Sequence, residues 1–292
     1  MSNSKKGLIA AMLSAVLFGF MPITAKYLYS FGCSTITVVF FRQIMALPIV
    51  LVLFAKSKKV KMSKKEFFEA FKIIVIGMLL TQTLLYASYR YISTGLAMTV
   101  HFSYPVFVVL GMLIFYKSKL TWVKGICVVL CTSGIILFYD HVEGIAIKGM
   151  LIALISGICY AYYIIKLANS NLRFMPPMQY AVLFITINSA VLFAYGTATK
   201  SLEWQFPLRF WIVMFLFAII ITIVAVLLVQ YAVKCIEPHT VSILSTLEPI
   251  TSIIVGIIFL NEILTLRTGL GMILILAAVL IVTLFDKEAE EV

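Results

Sequence analysis

The sequence predicts an all-α membrane protein of ten transmembrane helices, arranged as two inverted five-helix repeats. Three observations carry this. Of 292 residues, 63% are hydrophobic and 12% charged, and the mean hydropathy is +1.10, outside the range of soluble domains and typical of chains built from bilayer-length apolar runs. Ten such runs, each of about 20 residues, follow one another with short connections. The chain also repeats itself: a shift of 144 places lays Arg90-Tyr91-Ile92 on Lys234-Cys235-Ile236, Pro105 on Pro249, Leu120-Thr121 on Leu264-Thr265, and Gly125 on Gly269.

In order, the runs place helices at 7–29, 34–55, 69–89, 93–116, 119–139, 147–169, 177–199, 208–232, 237–260 and 264–285. The first follows Lys5 and Lys6 and imitates a signal peptide, but it is too long and lacks a convincing cleavage site, so it is expected to be retained. Its small residues Gly7, Ala11, Ala15 and Gly19 recur every fourth position, a spacing that lets a neighbouring helix approach the backbone closely. The sixth helix repeats this at an offset of 142, with Gly149, Ala153, Gly157 and Ala161, Ser156 matching Ser14, and Tyr160 matching Phe18. The halves are expected to divide at Asp140-His141-Val142-Glu143-Gly144, as units 1–144 and 145–292. An odd number of helices per half makes the second enter the membrane from the opposite side, the arrangement of many secondary transporters.

The basic residues orient the chain. The one long connection, Lys56–Phe68, holds six lysines; with the N-terminus inside, thirteen Lys/Arg fall on the inner side, Lys58, Lys119 and Lys287 among them, against five outside. Both termini are therefore expected in the cytoplasm. The net charge of +11 is explained by these loops, so no nucleic-acid partner is expected. The five cysteines are scattered, mostly inside apolar segments, and imply neither a disulfide framework nor a metal site.

Phe41-Arg42 in the second helix, Ser103-Tyr104-Pro105-Val106-Phe107 and Leu247-Glu248-Pro249-Ile250 in the fourth helix of each half, and Leu260-Asn261-Glu262-Ile263-Leu264-Thr265 resemble the EamA family of the drug/metabolite transporter superfamily. The resemblance covers essentially the whole chain. It implies a bacterial inner-membrane transporter, often an exporter of amino acids or other metabolites, with a central cavity lined by both halves. The first half departs from the family pattern: Tyr116-Lys117-Ser118-Lys119 stands where Gly-Glu is common.

Glu248 is the leading site candidate, because a carboxylate inside a bilayer-length segment costs several kcal/mol unless it faces protein or water. Ser245, Thr251 and Ser252 share its helical face, and Pro249 allows a hinge beside it. It is read as a protonatable or cation-binding group, or else as a carboxylate that packs helices together. His101 lies at equivalent depth on a face with Ala97, Tyr104 and Pro105, and its titration range suits proton coupling; a satisfied hydrogen-bonding role is the alternative. Lys26 either snorkels to the outer interface or meets a substrate carboxylate, and Arg42 is expected to be structural. Gln82, Tyr86 and Tyr89 share a face of the third helix, and Tyr160 and Tyr163 form a similar pair in the sixth; of these, Gln82, Tyr86 and Tyr160 are the better cavity candidates, and Glu248 is expected to face a hydrated cavity made jointly by helices 3, 4 and 9.

No phosphate-binding loop, zinc-ligand helix or nucleophile elbow is present, so no cofactor is expected. The leading function is a monomeric secondary transporter meeting small-molecule substrates and membrane lipids. Its rivals are a membrane-embedded enzyme using His101 and Glu248 as acid and base, and a receptor or scaffold that transports nothing.

Overall fold

A computed structural model describes residues 3–57, 59–118, 121–137 and 144–285. The expected break at 140–143 lies outside these residues, as do Lys58, Lys119 and Lys287. Among the described residues the chain forms helices and no strand. Helix α1 runs Asn3–Tyr29, α2 Thr35–Ala55, α3 Lys64–Ser88, α4 Thr94–Tyr116, α5 Trp122–Leu137, α6 Gly144–Ala168, α7 Pro177–Ala198, α8 Leu208–Cys235, α9 Pro238–Leu260 and α10 Leu266–Phe285. By length and composition, nine of these can cross a membrane and α5 is a shorter apolar helix. An uninterrupted helix satisfies its interior backbone polar groups within itself, which is what lets such a segment sit in lipid.

Local chemistry sets the boundaries. Ser34 caps α2 by accepting from the Thr37 amide at 3.0 Å. Ser63 and Glu66 form a reciprocal capping box at the start of α3, so this helix begins five residues before the expected position, inside the lysine-rich connection. Helices α4 and α9 are each interrupted, at Phe102–Ser103 and at Thr246. In each, a proline two or three residues later cannot donate to the carbonyl four positions back, and its ring crowds that carbonyl. Helices α3 and α8 each carry a wide π-helical stretch, Ile73–Leu79 and Ala218–Ala225.

The same contacts occur in both halves of the chain. Helix α1 packs on α8 and α9, and α6 packs on α3 and α4; α2 lies against α7, α5 against α10, and α4 against α9. The register agrees residue by residue. A Cβ at Gly7 would lie 2.6 Å from the Cβ of Cys235, and one at Gly149 would lie 2.7 Å from the Cβ of Tyr91; these are matching positions in the sequence repeat. Ser14 donates to the carbonyl of Ala225 at 2.8 Å, while Thr81, the counterpart of Ala225, donates to the carbonyl of Ser156, the counterpart of Ser14, at 3.2 Å. Small residues at these points let the crossing helices touch backbone to backbone.

Candidate functional site

A cavity of about 430 Å³ lies among α1, α2, α3, α6, α7, α8 and α9. Its polar lining is Arg42 and Gln43 from α2, Gln82 from α3, Tyr160 and Tyr163 from α6, Tyr180 from α7, Thr222 and Gln230 from α8, and Glu248 from α9. Phe18, Met78 and Phe184 supply apolar surface. Matching positions of the two halves face it together: Phe18 with Tyr160, Met78 with Thr222, Gln82 with Val226, and Arg42 with Phe184. The lining continues through Val50, Leu53, Pro177 and Leu227, toward the end of the bundle where α2 finishes and α7 begins.

Of the sequence-predicted residues, Glu248, Gln82 and Tyr160 meet at this cavity. Gln82 accepts from Gln43 Nε2 at 2.7 Å, which fixes both amides across α2 and α3. Helix α4 contributes no side chain to the lining, contrary to the expectation that it would. Its Tyr104 stands edge-on to Tyr160 with centroids 4.7 Å apart, so it supports a wall residue from behind. His101 is buried in the same layer, 5.6 Å from the Tyr160 ring, with Nδ1 2.9 Å from Ser156 Oγ. Ser156 donates its single proton to the carbonyl of Ala153 at 2.6 Å, so this network assigns the Nδ1 proton to His101. Tyr86 is also buried outside the lining, under the Arg42 guanidinium at 5.4 Å. Ser245 donates to the carbonyl of Val241 at 3.1 Å, a bond within its own helix.

Lys26 is not part of the cavity's lining. Its Nζ forms an ion pair with Glu262 Oε1 at 2.9 Å, with the side chains 26% and 12% exposed. Glu262 also accepts from the Thr94 amide at 2.8 and 2.9 Å and from the Thr94 hydroxyl at 2.8 Å. One carboxylate thus ties α1 and the start of α4 to the end of α9, where a helix N-terminus favours negative charge. Local backbone aims it there: Asn261 adopts a left-handed conformation (φ 53°), reversing the chain after α9. Gly256 makes the space, since a Cβ there would lie 2.6 Å from Thr94 Oγ1 and would also meet Glu262 Oε2. Around this end, Ser34 N donates to Glu203 at 2.9 Å, Tyr29 donates to the carbonyl of Tyr86 at 2.9 Å, and Arg90 lies 4.3 Å from the Tyr29 ring centre. Polar ties therefore gather at the end opposite the one the cavity reaches.

Sequence reasoning undervalued Arg42 and passed over Gln43, Tyr180 and Thr222. Arg42 is 4% exposed, and its Nη1 is 3.4 Å from Thr222 Oγ1. The signal was present: Arg42-Gln43 is a charged and amide pair well inside an apolar helix, which by default marks a pathway. Glu262 was noted only as part of a motif.

The EamA-like transporter family model matches this chain twice, over residues 5–140 and 147–284. No curated protein matches it. A solved crystal structure of a protein, 12% identical in sequence, is similar over 98% of this chain and 99% of its own, with a TM-score of 0.63, a likeness of fold. With both halves matched, and with paired apolar helices around a cavity that carries polar side chains, the chain is a multi-pass membrane protein of the EamA-like transporter family.

Proposed function

We propose that this protein is a secondary active transporter that exports small metabolites, such as amino acids, across the bacterial plasma membrane by alternating access. Its ten helices form two inverted repeats, both termini are cytoplasmic, and it works as a monomer among membrane lipids. The observation that supports this most is the cavity itself. Its largely apolar wall carries nine polar side chains, it is lined by matching positions of both repeats, it reaches one end of the bundle, and the Lys26–Glu262–Thr94 cluster ties helices together at the other. With the termini inside, this is the inward-facing half of a transport cycle. Rocking of one repeat against the other would open the opposite end around the same residues. Glu248 is the group that couples a proton to this movement. His101, which an acid–base pair with Glu248 would need at the cavity, lies behind Tyr160, and this favours transport over catalysis.

The test is counterflow of a labelled metabolite panel into proteoliposomes of purified protein. Saturable uptake above protein-free vesicles is expected for at least one compound. Chemical conversion of a panel member without net movement would favour the enzyme reading and sink this one.

A further inference from the structure

Helix α3 is 25 residues long, roughly 37 Å at about 1.5 Å per residue, whereas a hydrocarbon core is about 30 Å thick. Its surplus falls at the Lys64 end, where the charged residues are, and stands at the level of the lipid headgroups. On the outer side of this helix Phe68, Lys72, Ile76 and Leu80 follow one another at four-residue steps and all are exposed, Phe68 by 63%. The inner side, Ala70, Ile73 and Ile74, is buried against Leu172. The line that points to lipid therefore carries an aromatic ring and, one turn deeper, the ammonium of Lys72, with apolar side chains below. A lysine at that depth reaches an anion at the surface along its apolar stem. No protein carboxylate meets it: among the described residues the ion pair is Lys26–Glu262, so Lys61, Lys64, Lys65 and Lys72 are all without one. Glu66, between them in sequence, accepts from the Ser63 amide and hydroxyl at 2.8 Å each. Nor is the lysine-bearing connection loose. Gln179 holds both backbone groups of Val60, accepting from its amide at 2.8 Å and donating to its carbonyl at 2.7 Å, and Ser63 caps α3 three residues later. The basic side chains are thus set out along a fixed backbone, and binding orders little that is not already ordered.

We propose that the outer face of the start of α3 binds one anionic phospholipid of the leaflet at that end. Lys65 and Lys72, two turns apart on one face, close on its phosphate from either side, a separation of about 10 Å that two lysine stems span. Lys61 and Lys64 add to the positive field, and an acyl chain runs along Phe68, Ile76 and Leu80. Charge complementarity selects this lipid over a zwitterionic one, whose own cationic headgroup would meet the same lysines. The site does not depend on the transport reading.

The test is binding of the first lipid to the purified full-length protein in neutral detergent, titrated with phosphatidylglycerol or with phosphatidylcholine of the same acyl chains and read by native mass spectrometry. A lysine beside an anionic headgroup is worth about fivefold in affinity. Wild type should therefore prefer phosphatidylglycerol by at least about tenfold, and Lys65→Gln/Lys72→Gln should weaken that lipid by roughly twenty-five-fold while leaving phosphatidylcholine unchanged. Lys6→Gln/Lys117→Gln removes the same charge from exposed positions elsewhere and should change either lipid by less than about twofold. Phe68→Ala should weaken both lipids alike, because it removes apolar contact and no charge. All five positions are exposed, so the variants should fold. Equal binding of the two lipids by wild type would overturn the proposal. So would an equal loss in both double variants, the mark of diffuse charge without a site, or displacement of phosphatidylglycerol by inorganic phosphate, the mark of a site for free anions.

Discussion

Breaking the Lys26–Glu262–Thr94 cluster should increase opening at its end of the bundle. The Lys26 side chain is about a quarter exposed and that of Glu262 about an eighth (26% and 12%), so the pair is neither a free surface bridge nor a dry one. A hydrogen bond to a charged group is worth about 1.5–3 kcal/mol net, and partial exposure places this one near the lower figure. Lys26→Met should therefore shift the balance between closed and open by about tenfold, at roughly 1.4 kcal/mol per decade. Glu262→Ala also removes the acceptor of the Thr94 amide and hydroxyl. It should shift the balance by roughly a hundredfold, the upper part of the range for couplings of this kind. Gly256→Ala should act in the same direction without touching a charge, because its new methyl group occupies the space of the Glu262 carboxylate and the Thr94 hydroxyl.

The assay uses Met78→Cys, a cavity position, in an otherwise cysteine-free chain in sealed vesicles. A membrane-impermeant thiol reagent is added on the side facing the Lys26–Glu262 end and reaches residue 78 only when that end opens. Labelling rates should rise in the order wild type, Lys26→Met, Glu262→Ala by the factors above, and the double variant should add little to Glu262→Ala. Rates within twofold of wild type in all three single variants would refute the idea that this cluster holds the end closed.

Glu248→Gln keeps the shape of the side chain and removes its titratable proton, so flux through it should no longer respond to a pH gradient while the fold is retained; identical pH profiles for both proteins would leave Glu248 as helix-packing glue. Gly7→Leu, Gly157→Leu and Ala15→Leu should each destabilise the protein by about 1–3 kcal/mol through overpacking, since a Cβ at Gly7 would lie 2.6 Å from the Cβ of Cys235 and one at Gly157 would lie 3.0 Å from the His101 carbonyl oxygen. Gly125→Ala, with open space around its Cβ, is the neutral control, and thermal unfolding monitored by monodispersity reads the difference. For orientation, Ser63→Cys should label only from the cytoplasmic side and Ser34→Cys only from outside, and the reverse pattern would invert the assignment of both ends.

Much of the scaffold was legible because its signals are local or periodic. Apolar runs announced the helices, Pro249 announced the interruption of α9 but Pro105 was not read that way, and the small-residue stripes of α1 and α6 announced close crossings. What was not legible is pairing over long separations. Lys26 and Glu262 are 236 residues apart, and nothing in either segment names the other. The depth of His101 and Tyr104 was readable, but which side of the Tyr160 wall they occupy depends on how α6 crosses α4. The early start of α3 was signalled by Ser63 and Glu66, yet the apolar count overrode it.

The repeat and the charges carry different information. At the offsets that superimpose the two halves, Glu248 corresponds to Tyr104, Glu262 to Ser118, Lys26 to Ala168, and Arg42 to Phe184. None of these four charged residues has a charged counterpart. Gly256, which makes room for Glu262, corresponds to Met112, so the space and the charge that fills it occur in one half only. On the transport cycle proposed above, two similar halves would supply a frame able to rock either way. A frame with fully matched halves would hold its two open states near equal energy, and a bias requires a contact present at one end alone. On that reading the Lys26–Glu262–Thr94 cluster would be such a contact, while Arg42 and Glu248 place unmatched charges on the shared cavity. In a duplicated membrane chain, charged positions without a charged partner in the other copy are therefore where function-bearing residues should be sought first, and this rule would have raised Arg42 from the structural role first assigned to it.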